Sequence, residues 1–319
     1  MIVTFTANPS LDRTARLEGG LARGGVNRLG EVTAEAGGKG VNVARAVHLA
    51  GRPGLAVLPA DDSDPVIQGL RALGVAHRGV STGQPVRANL TLVEADGTTT
   101  KLNEPGSPLD EERQVALRNV LLASAHQARW VALCGSLPPG APTDWYADLV
   151  RHLRPLGVRI AVDTSDAPLM ALARHLPEAA PDLVKPNSEE LGQITGTDGL
   201  ELERQAAEGN WSPVLEAARQ LTARGIGQVL VTLGGSGALL VTEEGAWHAA
   251  APSITVASTV GAGDSSLAGY LMADCDDLPP EERLRRAVAW GSGAAALPGS
   301  QLPEPSQAPV DQVHVTRID

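Results

Sequence analysis

Residues 2–7, apolar apart from Thr4 and Thr6, stop at Asn8-Pro9, the pattern of a short buried strand ending in a turn. From residue 11 to 35 the chain turns polar and glycine-rich, with no helical spacing of its apolar positions. That spacing begins near Gly38 and puts Val41, Ala44 and Val47 on one face. Residues 55–58 read as the next strand. Residues 86–104 alternate about Ala95-Asp96-Gly97-Thr98, and Asp-Gly between alternating runs predicts a hairpin. This hairpin and the 11–35 stretch do not follow a strand–helix rhythm. Segments 11–35 and 86–106 are therefore expected to form a small β-rich lid inserted in the main domain.

After Pro108, strand-like runs recur at 130–133, 158–162, 183–185, 228–232 and 238–242, mostly separated by helical stretches. An Ala/Leu-rich helix is expected over 265–272, behind a glycine-rich turn. Alternation of this kind predicts the α/β class, a mostly parallel sheet covered by helices on both faces, in one domain spanning 1–319. Ligands on such sheets bind beyond the carboxyl ends of the strands, and the distinctive motifs fall there.

Composition narrows the function. Aromatic residues make up only 3% of the 319 residues, so the core must be built from Ala, Val and Leu. A net charge of −11 argues against binding a nucleic-acid backbone and against a polybasic membrane contact. It leaves room for a local basic pocket. Cys134 and Cys275 are the only cysteines and lack CxxC spacing, so a reducing, cytoplasmic setting is expected. No leader-like start and no membrane span are expected either. The histidines show no zinc spacing. Asp61-Asp62 and the acids at 274–277 read as solvated loop residues, Cys134 as a packing residue, and the tryptophans as core or interface.

Val260-Gly261-Ala262-Gly263-Asp264-Ser265 carries the most chemistry. The first amides of a helix lack partners and sit at the positive end of its dipole, and glycine lets an anion approach closely. A carboxylate in a simple phosphate site would repel its ligand. It makes sense if Asp264 must touch a hydroxyl that attacks a phosphoryl group. The plainer alternative is a turn with an Asp cap. Ala36-Gly37-Gly38-Lys39-Gly40-Val41-Asn42 brings a cation into a second helix start, with Asn42 one turn in. Asp12, after the first strand, could bind two sugar hydroxyls or simply cap a turn.

Taken together, Asn8-Pro9-x-Leu11-Asp12, Gly37-Gly38-Lys39-Gly40-x-Asn42 and Gly261-Ala262-Gly263-Asp264 resemble the PfkB (ribokinase-like) sugar kinases. Val184-Lys185-Pro186-Asn187-Ser188-Glu189-Glu190 is similar to that family's Asn-x-x-Glu motif, and Cys134-Gly135-Ser136-Leu137-Pro138 to its segment near the substrate. Thr232-Leu233-Gly234-Gly235-Ser236-Gly237 is similar to the loop beside the nucleotide. The matches run in family order from residue 6 to about 270. Within the family the wording is most like the 1-phosphofructokinases and tagatose-6-phosphate kinases.

The resemblance implies a ribokinase-like fold and ATP-dependent phosphorylation of a ketohexose phosphate, fructose 1-phosphate to fructose 1,6-bisphosphate being favoured. Tagatose 6-phosphate and fructose 6-phosphate are the alternative acceptors. It makes Asp264 the base, with Gly261, Ala262 and Gly263 as anion hole. Asn187 and Glu190 would organise Mg2+ through waters, and the same two residues also fit a capping box. Lys185, Thr232, Gly235, Gly237 and Ser292 would face the nucleotide, and Asp12, Gly37, Gly38, Asn42 and Ser136 the sugar. A sugar phosphate, unlike a neutral sugar, needs a cation in its pocket. Lys39 and Arg87 are expected to hold that phosphate, with Arg28 and Lys101 next, each having a solvated surface charge as its bland alternative.

Arg87 and Lys101 were expected to flank the hairpin and converge on one phosphate. Relatives in the family sometimes pair through their lids, so a homodimer is expected. Two segments depart from the family pattern: Ala60-Asp61-Asp62-Ser63-Asp64, where a glycine-rich run is usual, and Leu297-Pro298-Gly299-Ser300-Gln301 on the nucleotide side. A non-catalytic sugar-phosphate sensor is the rival from another class, and the intact Gly-Ala-Gly-Asp and Asn-x-x-Glu words speak against it.

Overall fold

The computed structural model describes residues 1–319. In chain order it runs β1 (Ile2–Thr6), β2 (Ser10–Leu17), β3 (Leu29–Gly37), α1 (Lys39–Leu49), β4 (Gly54–Pro59), α2 (Pro65–Ala72) and β5 (His77–Val80). β6 (Arg87–Val93), β7 (Thr99–Asn103), α3 (Glu111–Ala125), β8 (Trp130–Cys134), α4 (Trp145–Leu153), β9 (Arg159–Asp163), α5 (Asp166–Arg174) and β10 (Leu183–Val184) follow. The last third holds α6 (Ser188–Thr195), α7 (Gly199–Ala207), α8 (Ser212–Thr222), β11 (Gln228–Thr232), β12 (Ala238–Thr242), β13 (Gly245–Ala249), α9 (Ala262–Cys275), α10 (Pro280–Ala295) and β14 (Val315–Arg317).

Ten strands form one sheet in the order β14-β13-β12-β11-β10-β9-β8-β1-β4-β5, antiparallel from β14 to β11 and parallel beyond. The parallel strands are the apolar runs seen in the sequence, because both of their faces are covered. Along β8, Val131 and Leu133 enter a core with Leu149 of α4, while Trp130 and Ala132 enter a second core with Leu267 and Leu271 of α9. Strands β5, β13 and β14 escape sequence patterning. They lie at or near the sheet edges and carry charged or glycine residues, so no apolar run marks them.

A second sheet has the order β3-β2-β6-β7 and contains both segments of the expected lid. Its strands alternate, apart from an irregularity between Ala15 and Leu17. Cross-strand rows such as Thr33–Thr14–Thr91–Lys101 face a cavity of about 1070 Å³, bounded opposite by residues 257–260 and 298–301. The other face carries Ala15, Val32, Leu90 and Leu102, of which Val32 is 40% and Leu102 53% exposed.

Helix α9 is buried at every residue from Asp264 to Asp274. Asp274, expected in a solvated loop, is instead wholly enclosed. Its carboxylate accepts from Trp130 Nε1 at 2.7 Å, pairs with Arg283 at 2.9 Å and also pairs with Arg159. A carboxylate at a helix C-terminus opposes the dipole, and these cations offset the cost. Asp276 and Asp277 do reach the surface, where they pair with Arg52 and Arg129. Asp274→Ala leaves the buried Arg283 guanidinium without its carboxylate and the indole N–H without an acceptor. It is expected to destabilise the fold by about 3 kcal/mol, read as a lower urea midpoint at unchanged slope.

Candidate active site

The N-terminus of α9 points at the carboxyl ends of the parallel strands. Gly261 has φ 76°, so the chain enters the helix through a left-handed residue and α9 starts at Ala262, before the expected position 265. Asp264 thereby sits in the first turn. The amides of Gly263 and Asp264 have no backbone acceptor, which leaves them free for an anion. The Asp264 carboxylate is 7% exposed and accepts from Asn42 Nδ2 at 2.8 Å. Burial, then the nearby Asp163 carboxylate, push Asp264 up to about 6, against the pull of Lys39, Asn42 and Lys185. A carboxyl group titrating there is matched to proton uptake near neutral pH.

Asp163 is the charged group that sequence patterning missed. It ends β9, one residue beyond the run expected at 158–162, and is 1% exposed. Lys39 Nζ lies 2.7 Å from one of its oxygens and Lys185 Nζ 3.1 Å from the other. Burial opposes the Asp163 charge, but the two ammoniums outweigh it and hold the carboxyl below its ordinary range. Burial likewise opposes charge on Lys39, and Asp163, Asp264 and Glu190 together hold that ammonium above its usual value. Lys185 Nζ stands 3.2 Å from where a Cβ on Gly263 would be, so the glycine keeps room for the ammonium against the amide turn.

Asn187 caps α6, accepting from the Glu190 amide at 2.8 Å, while Glu190 Oε2 accepts from the Asn187 amide at 2.9 Å. The capping box therefore forms, and one Glu190 oxygen remains outside it. Burial raises the Glu190 carboxyl above its ordinary value. Thr232 bridges to Asn187 and donates its amide to Pro186 at 3.0 Å, which brings the Lys185–Asn187 and Thr232–Gly237 segments side by side. Gly235 is exposed in the turn that follows. Gly237 has φ 90°, and a Cβ there would lie 1.9 Å from the Ala249 oxygen, so strand packing alone requires this glycine. Ser292 is buried in α10.

On the small sheet, Asp12 accepts from Ser10 Oγ at 2.7 Å and from Asn89 Nδ2 at 3.0 Å. Gly37 lies against it, since a Cβ there would come within 2.0 Å of the Asp12 carboxylate. Gly38 has φ 103° and turns the chain into α1, where Lys39 and Asn42 point to the centre. Arg87 donates to the Glu104 oxygen at 3.0 Å and to Ser136 Oγ at 3.5 Å. Asn8 Nδ2 donates to the Pro105 oxygen at 3.0 Å, joining the end of the hairpin to the 136–137 turn. Arg45 donates to Glu35 at 2.9 Å, and Glu35 also accepts from Ser300 Oγ at 3.0 Å, fastening β3 to the 298–301 segment. Asn89 gives no sequence signal of its own.

Some expected groupings do not form. Lys39 and Arg87 have different charged neighbours: Asp163, Asp264 and Glu190 for the first, Asp12 and Glu104 for the second. Lys101 pairs with Thr91, four residues along β6 from Arg87, or about 13 Å at strand rise. Arg28 is exposed ahead of β3 and does not line the cavity. In the acidic run after β4, Asp62 is exposed as expected, while Asp61 and Asp64 also order the neighbouring turns. Asp61 accepts from Ser81 Oγ and the Thr82 amide, and Asp64 caps α2 while accepting from the Val86 amide at 2.9 Å.

The model of the pfkB family carbohydrate kinase matches residues 7–307. A 1-phosphofructokinase of Rhodobacter capsulatus is 38% identical over 96% of this chain and 94% of its own length. A 1-phosphofructokinase of Bacillus subtilis is 30% identical, covering 100% of both chains. The crystal structure of phosphofructokinase-2 from Escherichia coli in complex with substrates and products superposes with a TM-score of 0.85 at 29% identity, covering 96% of each chain.

The hydrogen bond from Asn42 stabilises the ionised form of Asp264. Asn42→Leu is expected to raise the Asp264 midpoint by about one unit, followed by 13C NMR titration of the carboxyl carbon.

Proposed function

Because the chain belongs to the pfkB family of carbohydrate kinases, we propose that it transfers the γ-phosphoryl group of ATP to the 6-hydroxyl of fructose 1-phosphate. The relatives named 1-phosphofructokinase support this acceptor. The observation that carries it is the presence of two sets of cations with different charged neighbours. Arg87, with Asp12 and Ser136 beside it, suits a phosphate the substrate already bears. Lys39 and Lys185, beside the free amides of α9, suit the phosphoryl group in flight. A hexose carrying phosphate at one end and accepting it at the other needs both.

In this mechanism Asp12 and Asn89 hold sugar hydroxyls on the small sheet, and Arg87 anchors the resident phosphate. The Gly263 and Asp264 amides and the two ammoniums offset the charge that spreads over the phosphoryl oxygens. Asp264 accepts the proton of the attacking hydroxyl, supported by its elevated affinity for protons. The nucleotide lies along the Lys185–Asn187 and Thr232–Ser236 edge, near Ser292. The small sheet shields the centre from water. No cluster of three or more His, Cys, Asp or Glu side chains forms a metal cage. Mg2+ held through waters by the free Glu190 oxygen and by Asn187 fits that donor set, and it would neutralise phosphate charge when bound.

Two copies are proposed to pair over the apolar outer face of the small sheet, where Val32 and Leu102 stand exposed. Sedimentation velocity is expected to show a dimer that Leu102→Lys dissociates; a monomeric parent protein excludes the pairing. In an ADP-release assay, fructose 1-phosphate is expected to give the highest kcat/KM among fructose 1-phosphate, fructose 6-phosphate and tagatose 6-phosphate. Asp264→Asn should lower kcat by about 10²–10⁴-fold. Arg87→Met should raise the sugar-phosphate KM at least about tenfold with little change in kcat. Preference for another acceptor overturns the substrate assignment, and a near-parental rate for Asp264→Asn removes the base.

A further inference from the structure

We propose that Asp163 is a positioning residue for the transfer step: its buried carboxylate spaces the Lys39 and Lys185 ammoniums and keeps both from neutralising Asp264. The proposal rests on the kinase reading above. With 1% exposure, Asp163 has no surface to offer a substrate, so any effect must pass through its neighbours. Each of its oxygens serves one ammonium, at 2.7 Å and 3.1 Å. The two lysines arrive from different elements. Lys39 begins α1 with a third of its side chain open, and Lys185 follows β10 with 5% exposed, against Gly263. The Asp163 carbonyl is itself fixed, accepting from the Gly135 amide at 2.9 Å.

Without an anion between them the two ammoniums repel, and the next carboxylate both of them feel is Asp264. A lysine-paired Asp264 would be a weaker proton acceptor. In the structure Asp264 has no ion pair and only the neutral donor Asn42. The groups facing it are Asp163 from β9, Lys39 from α1 and Lys185 after β10. Cys134 of β8 is also near, its thiol kept neutral by burial. Replacing Asp163 by a neutral isostere therefore removes a like charge from Asp264 and releases two cations toward it. Both effects lower the Asp264 midpoint.

The test compares Asp163→Asn and Asp163→Glu with the parent, using the acceptor the parent phosphorylates. Asp163→Asn is expected to lower kcat by about 10²-fold and to move the acid limb of the pH–rate profile down by about one unit, without raising the ATP KM. Asp163→Glu keeps the charge but displaces it. It is expected to lose at least about tenfold in kcat with the acid limb unmoved, and it decides the matter if the Asn variant does not fold. A rate within about threefold of the parent in the folded variants overturns the proposal, as does a rise of both KM values with an unmoved limb in Asp163→Asn. If the parent phosphorylates no ketohexose phosphate, the kinase assignment fails. The Asp163 proposal is then judged by 13C titration of Asp264, whose midpoint must fall in Asp163→Asn.

Discussion

Opposite charges in a space that water barely enters are the constraint around which the cleft is arranged. Asp163, Asp264 and Glu190 face Lys39 and Lys185, and each charge is tolerable only because of the others. Burial alone would neutralise any of them. The balance leaves Asp163 firmly ionised and Asp264 poised to take up a proton. The scaffold delivers these groups from five separate elements, and the parallel sheet is what lets that happen. Its strands end together, so Asp163, Lys185 and the start of α9 come within reach of each other although they are far apart in the chain.

The same economy appears in the local devices. The Asn187–Glu190 capping box starts α6 and leaves one carboxylate oxygen outside it, so the residues that start the helix keep a free donor atom. Gly37 and Gly263 hold their places because a side chain would strike Asp12 or Lys185. Gly237 looks like part of a nucleotide loop but is required by the neighbouring strand. At the far end of α9, Asp274 and its arginines anchor the helix whose first turn carries Asp264.

Much of this was legible in the sequence, and the limits have physical reasons. Buried parallel strands read as apolar runs, and the Gly261–Asp264 turn is encoded in contiguous residues, so the fold and the glycine turn with its carboxylate could be located. The family assignment followed from such local words and is matched by the relatives. Asp163 was not legible because its meaning lies in Lys39, 124 residues away. Asp274 looked solvated for the same reason, since its partners Trp130 and Arg283 come from other elements. Arg87 and Lys39 were both rightly marked as cations, but only the fold shows that they attend different groups. The edge strands failed by pattern, being short and polar.

The division between the two sheets has an evolutionary consequence. The groups proposed to face the acceptor, Asp12, Asn89 and Arg87, stand partly open on the small sheet, whereas those proposed for the transfer step lie buried at the ends of the main sheet and in a helix with no solvent face. On the proposed roles, changes on the small sheet retune which sugar is accepted without disturbing the groups beneath. Changes along α9 have no such freedom, because a methyl group at Gly269 would already press on the Arg286 backbone at 2.7 Å. With those roles, selectivity is free to drift while the chemistry is held still.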